Sequence, residues 1–65
     1  MARYTEHPEV RAARSAADEA REIWVRARAA HHRGEGSEAE ERLARAVSAQ
    51  AQIDHAHARA LYEAH

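Results

Sequence analysis

The side chains of this chain that could do chemistry are six histidines, eleven carboxylates and ten arginines. Asp54 and His57 are three positions apart, so on a helix they share a face and could hold a metal ion or pass a proton. The other histidines do not join them. His55 and His57 project about 200° apart on a helix, and the neighbours His31 and His32 diverge by about 100°. No two histidines stand at i, i+4, and there is no His-Glu-x-x-His run. A metal centre would need further inward ligands, and the first half of the chain offers only Glu9 near the face concerned. The expectation is no metal site and no cofactor. The alternative is a metal- or small-ligand-binding bundle using Asp54 and His57, with His7 and His65 near its open end.

Nucleophilic catalysis finds less support. The chain has no cysteine. Ser15 and Ser48 fall on expected solvent faces, and Ser37 reads as a helix cap. Gly34-Glu35-Gly36 lacks the strand and the lysine of a phosphate-binding loop. No catalytic residue is assigned, although an enzyme with its site at a dimer interface stays open as a further alternative.

The elements that must carry these residues are easily marked. Gly34-Glu35-Gly36 is the one strong breaker, and Pro8 is the single proline. Pro8 suits the first turn of a helix, where its missing N–H removes no internal bond. Thr5 or His7 would then be the N-cap. Good helix formers continue to Arg33, so helix 1 is expected over about 8–33. Arg26, Arg28, His31, His32 and Arg33 gather at its carbonyl end, where positive charge favours the dipole. Gly34 can turn left-handed just beyond it. Ser37-Glu38-Ala39-Glu40 reads as a capping box, and helix 2 is expected over about 38–63. The turn between them is short enough to force antiparallel neighbours.

Helix 1 carries a seven-residue repeat. Val10, Ala13, Ala17, Ala20, Trp24, Ala27 and His31 are spaced 3-4-3-4-3-4, with Ile23 on one flank and Arg14, Arg21 and Arg28 on the other. Helix 2 suggests the series Ala39, Leu43, Ala46, Gln50, Ile53, His57, Ala60 and Ala64, with Val47, Asp54 and Leu61 beside it. The large residues expected inside are Val10, Ile23, Trp24, Leu43, Val47, Ile53 and Leu61. Gln50, Asp54 and His57 would form a buried polar layer, with Asp54 bridged to Arg14 or Arg21 and Gln50 meeting its counterpart in a second chain. Such layers fix register and oligomer state.

Composition limits what these elements can be. Eighteen of the 65 residues are alanine, so bulky core side chains are few. Residues 8–33 hold six Arg and four acids, and residues 38–65 hold three Arg and five acids. That contrast favours side-by-side helices with the Arg14/Arg21/Arg28 shoulder bridged to helix 2. The balance is close to neutral and no aromatics interleave with the arginines, so nucleic acid is not the expected partner. No stretch approaches the roughly 20 apolar residues of a membrane span, and Met1–Val10 has no apolar run that reads as a secretion signal, so a cytoplasmic setting is expected.

The fold expected is an all-α antiparallel αα-hairpin in one small domain. Its Trp24 needs more cover than a single facing helix supplies, so dimerisation into a four-helix bundle is expected. The function expected is non-enzymatic association with a second copy or a larger protein. Its interface residues would be Val10, Ala13, Ala17, Ala20, Ile23, Trp24, Leu43, Val47, Ile53 and Leu61.

Overall fold

A computed structural model of the chain describes residues 6–63. Two helices, α1 (Pro8–His32) and α2 (Glu38–Glu63), pack against each other as an antiparallel hairpin. Thr5, Ala64 and His65, named above as a cap candidate, a stripe member and an open-end histidine, lie outside the described residues.

The ends of the helices show why they begin and stop where they do. Pro8 occupies the first turn of α1, and His7 is the N-cap, its Nδ1 accepting from the Glu9 N–H at 3.1 Å. At the other end Arg33 is the C-cap, one residue later than the last helical position, His32. Gly34 follows with φ 77°, in the left-handed region. The Glu35 N–H bonds the Ala30 carbonyl at 2.8 Å and the Gly34 N–H bonds that of His31 at 3.0 Å. These two bonds are the Schellman closure, and they satisfy carbonyls the helix leaves over. At the start of α2 the Glu40 N–H donates to Ser37 Oγ at 3.0 Å. The return bond of a full capping box, from the Ser37 N–H to the Glu40 carboxylate, is not made, so this cap is half a box.

The buried stripe of α1 is the one its repeat predicts. Val10, Ala17 and Ala20 are buried, and Ala13, Trp24, Ala27 and His31 are partly so. The buried stripe of α2 is a correction. It runs through Glu41, Ala44, Ser48, Ala51, His55 and Ala58, not through Leu43, Gln50, Ile53 and His57. The large side chains Ile23, Leu43, Val47, Ile53 and Leu61 are 50–68 % exposed.

Size explains the difference. The stripe on α1 is mostly alanine, and an equally small stripe on α2 leaves little between the two backbones. Tight contact gains dispersion energy over the whole length. Leucines in the same place would hold the helices apart and open voids beside each alanine. Ser48 is only 1 % exposed, and the register set by the His31–Glu41 pair puts it about level with Trp24 on α1.

The result is a slab of 52 × 21 × 12 Å, two helices wide and one helix thick. Trp24 is nevertheless largely covered within it, and its indole Nε1 is buried without an acceptor. The facing helix alone thus buries the indole Nε1, while the residue as a whole keeps intermediate exposure.

Candidate functional site

A slab one helix thick has two broad faces, and side chains are sorted between them by the helical turn of about 100° per residue. On α1, Arg14, Arg21 and Arg28 stand roughly 80° to one side of the buried stripe, and Ala16, Ile23 and Ala30 roughly 70–90° to the other. On α2, Arg45, Gln52 and Arg59 stand roughly 80° to one side, and Val47, Asp54 and Leu61 at a similar angle to the other, with Leu43, Gln50 and His57 further round. Because α2 runs back along α1, the two arginine series fall on the same face. The hollows on the surface agree with this placing. Arg14 and Arg59 line one together with Glu6, His55 and Glu63, and His31, Glu41, Arg42 and Arg45 line another.

One face is therefore apolar with polar patches. Ile23, Leu43, Val47 and Leu61 lie on it among alanines, and Ile53 stands further round, on the outer edge of α2. Gln50, Asp54 and His57 are exposed here, and the Gln50 Nε2 donates to Asp54 Oδ1 at 3.0 Å. The expected bridge from Asp54 to Arg14 or Arg21 is absent, because those arginines occupy the opposite face. Arg14 instead reaches back to Glu6, with Nη1 3.0 Å from Oε2. Within one chain the polar trio is thus a solvated patch and not a buried layer. No third ligand joins Asp54 and His57, and no three His, Asp or Glu side chains gather around a common point among the described residues.

The other face is basic. Arg14 and Arg59 are engaged at its open end, Arg14 by Glu6 and Arg59 by Glu63. Arg21, Arg28 and Arg45, in the middle and towards the turn, carry neither an ion pair nor a hydrogen bond among the described residues. The bridges expected from the α1 arginines to the acids of α2 do not form. Of the acids at the start of α2, Glu38 is taken locally by Arg42 at 2.8 Å, and Glu41 pairs with a histidine of α1, His31, at 2.6 Å.

The His31–Glu41 pair crosses from α1 to α2 beside the turn. An ionised carboxylate can only accept, so the His31 Nδ1 is the donor. This hydrogen bond, with the charges of His31, His32 and Arg28 around it, holds the Glu41 carboxyl below its ordinary value of 4.5. At the open end the His7 and Tyr62 rings stack with centroids 4.2 Å apart. The two contacts tie the hairpin at both ends. Matching Glu41, His55 and Tyr62 to the 3-4 spacing of Ala44, Ser48, Ala51 and Ala58 is the signal that would have located this stripe in the sequence.

No family model matches the chain, and no curated protein or solved structure is significantly similar to it. Among the described residues no helix is long and apolar enough to cross a membrane.

Proposed function

We propose that this hairpin is a non-enzymatic association module whose apolar face pairs with the same face of a second copy, forming a four-helix bundle. The observation that carries the reading is the exposure of Ile23, Leu43, Val47 and Leu61 along one side of a slab a single helix thick. Soluble single chains rarely leave so many large aliphatic side chains open on one face. A face about 40 Å long and 20 Å wide offers about 800 Å² per partner, the size of an ordinary stable interface. Two-fold pairing would also bring Gln50, Asp54 and His57 of both chains to one contact, where a polar layer sets register. The metal-binding and catalytic alternatives have less support, since Asp54 is engaged by Gln50 and stands in solvent.

Sedimentation equilibrium at micromolar concentration tests the proposal. The expected mass is twice that of the 7.3 kDa chain. Val47→Glu and Leu61→Glu place charge on the pairing face without touching the small-residue stripe between α1 and α2. They are expected to give helical monomers. A wild-type chain that sediments as a folded monomer would overturn the reading, as would Val47→Glu and Leu61→Glu variants that keep the dimeric mass.

A further inference from the structure

On the face opposite the apolar one, arginines that form no ion pair or hydrogen bond among the described residues flank Trp24 at the edge of the buried stripe. Arg21 and Arg28 are one heptad apart, about 10 Å along α1. Trp24 and Val25 both lie between them, each at i+3 or i+4 from one arginine and i−4 or i−3 from the other. Val25 is 54 % exposed. Trp24 is half-buried, with its Nε1 lacking an acceptor. Arg45 stands across the groove on α2, close to the level of Arg28 by the register of the His31–Glu41 pair, and Asp18 at the outer edge of α1. None of the three guanidinium groups makes an ion pair or a hydrogen bond among the described residues, although the Arg28 charge acts on the Glu41 carboxyl from a distance.

We propose that this patch docks an acidic, amphipathic helical segment of another protein, its carboxylates meeting Arg21, Arg28 and Arg45 and its apolar side covering Trp24 and Val25. Arginine and tryptophan are the residues most enriched where protein interfaces concentrate their binding energy, and lysine is depleted there. Guanidinium groups pair two-pronged with carboxylates. Their spacing of about one heptad repeats on a helix that carries acids every seventh residue. A nucleic-acid backbone would engage the arginines but gain nothing from Val25, and the chain as a whole carries a net charge of −1, which does not draw in a polyanion. The inference deepens the association reading. It uses the other face of the slab, so a second hairpin and the acidic segment can be bound together.

The test is fluorescence anisotropy with a labelled three-heptad helical peptide carrying leucine and glutamate at fixed heptad positions, and with a duplex oligonucleotide of equal charge. The full chain is expected to bind the peptide more tightly than the duplex. The double variant Arg21→Gln/Arg28→Gln is expected to weaken peptide binding about tenfold. A charge-matched control, Arg26→Gln/Arg33→Gln, removes two arginines from outside the patch and is expected to leave it nearly unchanged. Circular dichroism and sedimentation of both variants should match the wild type. Absent peptide binding, tighter binding to the duplex, or equal losses in the two double variants would each overturn the proposal. A chain that proves monomeric yet keeps the Arg21- and Arg28-dependent binding would sink the dimer and leave this inference standing.

Discussion

Two side chains have energetic roles that can be tested one residue at a time. Glu41 is one of five acids on α2, but it crosses to α1, and its carboxyl is held low by the bond from His31. A group whose folded pKa is depressed stabilises the fold fully above its unfolded value, here 4.5, and loses that contribution as pH falls through the lower folded value. Thermal melts should therefore fall on acidification below about pH 4.5. Glu41→Gln should lower the melting temperature at neutral pH and flatten that acid limb. If the acid limb is the same in both proteins, the pair does not tie the hairpin. Trp24 differs in the opposite sense, because its buried Nε1 finds no acceptor. An unsatisfied buried donor costs about 1–3 kcal/mol. Trp24→Phe removes the donor along with some area, so denaturant melts should move by less than about 1 kcal/mol, whereas Trp24→Ala should cost about 2–4 kcal/mol.

The connection and the pairing of the helices can be tested separately. Gly34 sits at φ 77° with no atom within 4 Å of where a Cβ would go, so Gly34→Ala isolates the backbone term. It should cost about 1–2 kcal/mol. Ser48 probes the pairing. Because it is buried against α1 and level with Trp24, Ser48→Leu should overpack the contact and cost about 1–3 kcal/mol in a denaturant melt. Were Leu43 and Ile53 the inward residues, position 48 would face solvent and the same change would be harmless. The sequence made both helices, their caps and the α1 stripe legible, since these depend on Pro8, Gly34, Ser37 and a run of alanines at heptad spacing, all local signals. The face of α2 was not legible by the same means. Ranking Leu43, Val47 and Ile53 as the core assumes that the bulkiest apolar residues meet the partner helix. Here the complementarity of two small-residue stripes decides, which is a property of the pair and not of either helix. The polar trio followed from the same assumption, and moved to the surface with it.

A slab 12 Å thick has no interior in the ordinary sense, since every residue is within one side chain of solvent. Among the described residues only Val10, Ala17, Ala20, Ser48 and Ala58 are buried, and four of these five are small or polar. Charge is sorted to match: the free arginines lie on one face, and Asp54 and the large aliphatic residues lie on or beside the other. Pairing through the apolar faces would hide most of the exposed leucine, isoleucine and valine, and would leave an arginine face outward on each side of the bundle. Folding would then be tied to association, and stability would depend on protein concentration. Unfolding a dimer of this length involves an entropy of about 2.1 cal/mol/K per residue, and a tenfold change in concentration is worth about 1.4 kcal/mol, so the melting temperature should rise by about 5 °C per decade. A monomeric hairpin would show no shift. Melts of the wild type at several concentrations, repeated on Val47→Glu, separate the two cases: the wild-type midpoint should climb with concentration, and the variant midpoint should stay level and lie lower. A flat wild-type series would mean that the hairpin stands alone with its leucines in water, and that the close contact of two alanine-lined helices is enough to fold it.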